Sequence, residues 1–81
     1  MVDYTNDARA KRAHKAVRSY ANVSGQASAA EMPYAFRDLL GDMMHLADTL
    51  GYDFADELRI ATNYYEEESR AAAWALLFGE G

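Results

Sequence analysis

Four groups of side chains in this 81-residue sequence have the types and spacing to do chemistry. Asp38, Asp42, His45 and Thr49 fall on one line of a helix. Carboxylates one turn apart, with an imidazole a turn further on, could share a divalent cation, but one helix face supplies too few ligands for it. The line is read first as a solvated face, and His45 equally as an ordinary partner of Asp42 or Asp48. Lys11, Arg12, Lys15 and Arg18, with Arg9, make residues 8 to 18 a basic stretch without an acid. Such a stripe can contact nucleic-acid phosphates, or it can neutralise acidic helices lying beside it. Tyr64 and Tyr65 precede the acidic run Glu66, Glu67 and Glu68. That run is either a solvated face or a phosphate mimic shaped for a basic groove, which Asp53, Asp56 and Glu57 would extend. The fourth group is the tail Trp74-Ala75-Leu76-Leu77-Phe78. On a helical wheel Leu76 stands roughly 160° from Trp74, so one core cannot take the whole cluster. Either the tail folds back over the core, or Trp74, Leu77 and Phe78 anchor a protein partner or a second copy.

Other chemistry is excluded. There is no Cys, so thiolate catalysis, disulfides and zinc-finger ligation are ruled out. No serine sits in a G-x-S-x-G elbow, and neither His14 nor His45 has an evident nucleophile beside it. No Gly-rich phosphate loop is present. The expectation is a protein with no catalytic residues, no metal and no cofactor, which is not an enzyme. No apolar run approaches the roughly 20 residues of a membrane span, and the start of the chain does not look like a signal peptide. Membrane association is therefore not expected.

These groups need elements to position them. Sixteen alanines and only seven β-branched residues argue for helix against sheet. The length allows one domain, residues 1–81, with a thin core. Leu, Ile, Val and Phe make up only about 17% of the chain, a level that warns of disorder. That warning applies to residues 1 to 5 and 24 to 32. A first helix is predicted over residues 6–22, capped by Thr5 or Asn6, with Ala13, Ala16, Val17, Tyr20 and Val23 as its apolar stripe. A connector follows over 24–32. A second helix spans 33–50, opened by Pro33 and closed by Gly51. Phe36, Leu39, Leu40, Met43, Leu46, Ala47 and Leu50 form its buried face, the strongest periodic signal in the chain. Asp53 caps a third helix over 54–78, with Phe54, Leu58, Ala61 and Tyr65 inside and Ile60 and Tyr64 flanking. A break near Ser69 would make four helices, but no Gly or Pro interrupts the run, which favours continuity. The fold class is all-α, a small three- to four-helix bundle. Net charge is −5, with the basic first helix set against an acidic remainder.

The segment from Asp38 to Phe54 resembles a pattern in short helical proteins of phages and mobile elements. These have a basic first helix, a D-L-x-x-D-x-x-H-x-A-D helix and a G-x-D-F turn. The likeness covers most of residues 8 to 68 and leaves out the Trp74–Phe78 tail. It implies a cytoplasmic site of action in a host cell. A weaker similarity is to all-α nucleotide pyrophosphohydrolases of the MazG-like type. Leu40-Gly41-Asp42 and the run from Leu46 to Asp53 match parts of that pattern. However, Leu39 stands where the family has a metal-binding Glu, and the paired glutamates of the preceding helix are missing. Shared architecture without shared activity is implied.

Taken together, the expected function is to bind and modulate a protein partner. An inhibitor of a host nucleic-acid-targeting defence complex, similar to an anti-CRISPR protein, is one form of it. The candidate contact residues are Tyr64, Tyr65, Glu66, Glu67, Glu68, Trp74, Leu77 and Phe78, with a homodimer through the C-terminal apolar cluster as a variant. The alternatives are a small nucleic-acid-binding regulator using Lys11, Arg12, Lys15 and Arg18, and a degenerate pyrophosphohydrolase-like domain.

Overall fold

The computed structural model describes residues 5–79, and these form three helices: α1 (Asn6–Ser24), α2 (Met32–Leu50) and α3 (Phe54–Phe78). No strand occurs among the described residues. The expectation of disorder at the start of the chain lies outside the described residues, apart from Thr5, and so does the extreme C-terminus of the 1–81 domain.

Each helix begins and ends where local chemistry dictates. Thr5 caps α1, its hydroxyl accepting from the Ala8 amide at 3.1 Å. Asp7 then sits at the positive end of the helix dipole. Gly25, at φ 78°, closes α1, and the Gln26 amide donates to the Ala21 carbonyl at 2.7 Å. This six-to-one bond is the Schellman arrangement, and it needs a residue that tolerates the left-handed region. The same device recurs at Gly51, φ 76°, where the Tyr52 amide reaches the Ala47 carbonyl at 2.8 Å. Asp53 caps α3 by accepting from the Asp56 amide at 3.1 Å. Between α1 and α2 the chain is tied down rather than loose. Ser28 donates to Glu31 at 2.8 Å, and the Glu31 and Met32 amides both reach the Ser28 carbonyl. The continuity expected through Ser69 is found: α3 runs unbroken for 25 residues.

Packing departs from expectation more than the helices do. The small core consists of Val17 and Ala21 from α1 and Ala35 from α2, with Tyr20, Met32 and Leu39 packed around it. Ala47 is buried separately. Ala13, Ala16 and Val23 of the expected α1 stripe are exposed, Val23 at 88%, while Ala21 takes the central place. Phe36, Leu40, Met43, Leu46 and Leu50 of the expected α2 core face all remain largely exposed. On α3, Leu58, Ala61 and Tyr65 are exposed and Phe54 is half-buried, so that helix buries no residue fully. The reason is arithmetic of neighbours. An apolar stripe is buried only if something covers it. Here α1 covers one edge of α2, and α3 meets each of the others only briefly.

The result is an open shape. The radius of gyration is 15.7 Å, against about 12 Å for a compact chain of this length. Accessible surface is 6840 Å², against about 4,900 Å² for a folded monomer of this mass. Three of the four buried side chains among the described residues are alanine methyls, each worth only about 0.8 kcal/mol.

Candidate functional site

The cation line on α2 dissolves into structural hydrogen bonds. The Tyr20 hydroxyl donates to Asp42 Oδ2 at 2.5 Å, and Gln26 Nε2 donates to Asp38 Oδ2 at 2.7 Å. Thr49 donates back to the His45 carbonyl of its own helix. Both carboxylates thus tie α2 to α1 and its connector. Among the described residues no group of three His, Asp or Glu is placed to hold a metal. The Tyr20 hydroxyl is pushed up to about 12, first by its bond to the Asp42 carboxylate, then by partial desolvation and the charges of Asp42 and Asp38.

The basic stretch is partly spoken for. Lys11 pairs with Asp7 at 3.0 Å along the same helix. Arg9 reaches across to α3, its Nε lying 3.0 Å from Glu68 Oε2. Asn6 reinforces that clasp by donating to the Glu68 carbonyl at 3.3 Å while accepting from Arg9 Nη1 at 2.9 Å. Arg12, Lys15 and Arg18 are exposed on α1. The clasp is a tertiary contact that the pattern of residues did not reveal. Its signal was only that Arg9 is the one basic residue of α1 on the flank away from Lys11 and Lys15.

The clasp also splits the acidic run. Glu68 is half-buried and engaged with α1, whereas Glu66 and Glu67 face outward. Tyr64 and Tyr65 are exposed too. Position on the helix separates them: Tyr65 lies about 180° from Trp74, while Glu67 lies within about 20° of it. Glu67 and Trp74 therefore share one face of α3, two turns apart, and Tyr65 belongs to the other.

The tail does not fold back over the core. Trp74, Leu76, Leu77 and Phe78 are all at least 64% exposed. The Trp74 and Phe78 rings pack on each other with centroids 4.4 Å apart, tilted by 42°. This i, i+4 aromatic pair makes a fixed apolar knob at the end of the helix. A second apolar feature had no counterpart in the sequence reading. A groove of about 650 Å³ runs between α1 and the start of α2, lined by Ala10, Ala13, His14, Val17, Met32 and Phe36 among others. No helix among the described residues is long and apolar enough to cross a membrane.

Compared with known proteins, the chain matches no family model, no curated protein and no solved structure.

Proposed function

We propose that this chain is a protein-binding module without catalytic chemistry, which acts by docking the outer face of α3 on a protein partner and modulating it. The observation that carries this reading is the exposed knob of Trp74, Leu77 and Phe78 at the end of a helix that buries no residue fully. Contiguous exposed aromatic and aliphatic side chains mark interaction surfaces, and a large ring entering a pocket is the usual energetic anchor. Glu66 and Glu67 precede the knob and add negative charge to the contact. The partner surface that suits this is an apolar pocket with a basic rim. Inhibition of a nucleic-acid-handling complex is the form this would take if that basic rim normally receives phosphates.

The test is site-specific photo-cross-linking at Leu77 in cells producing the protein. The expected result is a discrete cross-linked protein that disappears in the Trp74→Ala/Phe78→Ala variant, with helix content by circular dichroism unchanged. The absence of any discrete cross-linked protein, or cross-linking indifferent to the loss of both rings, would overturn the reading. Glu66→Gln/Glu67→Gln should weaken the same contact. If it does not, the acidic part of the surface is discarded.

A further inference from the structure

The α3 knob leaves a second apolar surface unexplained. Phe36, Leu40, Met43, Leu46 and Leu50 of α2 form a stripe whose side chains stay about half exposed. On a helical wheel the stripe and its shoulders fill a sector of roughly 140° that contains no charged residue. Its spacing is symmetrical: steps of four, three, three and four residues, centred on Met43. A stripe that reads alike in both directions is what a two-fold interface requires, since each residue i must meet j while j meets i.

We propose that a second copy of this chain docks on this face, the two α2 helices antiparallel and the two-fold axis passing at Met43. The proposal rests on the reading that the exposed apolar surface serves protein association. In this arrangement Phe36 of one copy faces Leu50 of the other, Leu40 faces Leu46, and Met43 meets its own equivalent. Two further observations fit a copy of this chain as the occupant, and the charge balance sets where it docks. The exposed area of the whole chain, α3 and its tail included, exceeds that of a folded monomer by about 2,000 Å², which leaves room for an interface of about 800 Å² per partner. The net charge of −5 opposes the meeting of two copies, so a contact between them falls on a charge-free stripe. Finally, the groove between α1 and α2 opens beside Phe36, where Leu50 of the other copy arrives. Since α1 lies along one flank of each α2, the two α1–α2 hairpins form a four-helix layer, to which each copy adds its α3.

Sedimentation equilibrium of the full chain from about 1 to about 100 µM tests this. The expected species has twice the 9.0 kDa of one chain. Met43→Asp places two carboxylates at the axis and should weaken association about 50-fold or more. Its helix content should hold, because Met43 is already about half exposed in the single chain. The sequence has no cysteine, so introduced thiols report geometry cleanly. Met43→Cys should oxidise to a covalent dimer. Leu50→Cys should not, because the two copies of residue 50 would stand about 21 Å apart along antiparallel helices. Equal cross-linking at both positions would mean parallel helices and overturn the proposal. So would a dimer that survives Met43→Asp but is lost in Trp74→Ala/Phe78→Ala, and so would a 9.0 kDa monomer throughout the range. In that last case the Leu77 cross-link decides separately: if it persists, α3 still binds a partner and only the dimer falls. If it too is absent, both readings fall.

Discussion

At the scale of single residues, the contacts that hold α1 to α2 are polar at their edge and nearly featureless at their centre. Ala21 and Ala35 are fully buried but supply only a methyl each, so orientation falls to Tyr20 and Asp42. Their hydrogen bond has a consequence in pH. The hydroxyl is raised from its ordinary 10.0 to about 12 because only the protonated tyrosine can donate to the carboxylate. A group whose folded value is raised stabilises the fold fully below its unfolded value. That contribution is therefore intact below pH 10 and is lost as the pH climbs through 12. Ultraviolet titration of the phenolates should show one of the six tyrosines ionising late. Tyr20→Phe should remove that late step, and Asp42→Asn should bring it back toward the others. A titration without that late step would show that the contact does not persist in solution. Asp42 illustrates how one residue misleads when read by itself. Its spacing with Asp38 and His45 reads as a solvated face or a cation ligand, whereas its partner is Tyr20, 22 residues back on another helix.

At the scale of the element, the sequence was almost fully legible. Thr5, Pro33, Gly51 and Asp53 each mark a boundary by a mechanism that works within one turn of chain, and the structure uses all four. Gly25 is masked as a boundary by Ser24, Gln26 and Ser28, which give the region the composition of a loose connector. It performs the same capping as Gly51. What was not legible is which apolar face is covered. Phe36 and Leu39 have equal claims from periodicity, but Leu39 packs on the core and Phe36 does not. That difference depends on where α1 lies, and no local signal encodes it. The candidate site divided the same way. The exposed tail could be read from the angular spread of Trp74, Leu76 and Leu77, whereas the capture of Glu68 by Arg9 could not. The boundary chemistry yields a paired test. Gly51→Ala forces a side chain into the left-handed region at φ 76° and should cost about 1 kcal/mol. Gly41→Ala, in mid-helix with open space around the added methyl, should instead stabilise by about 0.5–1 kcal/mol. Asp53→Ala should cost about 1 kcal/mol by removing the α3 cap. Urea denaturation at one fixed protein concentration compares all three. If the two glycine substitutions shift the midpoint in the same direction, the assigned ends of α2 are wrong.

At the scale of the whole molecule, the balance of charge and apolar surface makes the two proposed contacts respond oppositely to salt. Each chain carries −5. Bringing two together at the α2 stripe adds no opposite charges across the interface, so their net interaction outside it is repulsive. Screening that repulsion should tighten the dimer: the Debye length shrinks from about 30 Å at 0.01 M to about 10 Å at 0.1 M. A partner met by Glu66 and Glu67 is held partly by attraction, and the same screening should loosen it. Chain concentration adds a second handle. One copy buries only a few small side chains, so much of its stability should come from association and its thermal midpoint should rise with protein concentration. Melting followed by circular dichroism at low and moderate salt, over a hundredfold range of concentration, measures both effects at once. A midpoint that rises with concentration, and more steeply with added salt, is the expected outcome. A midpoint independent of concentration would mean that this open chain stands alone. A midpoint that falls with salt would mean that charge pairs such as Arg9 with Glu68 outweigh the apolar contact in holding it together.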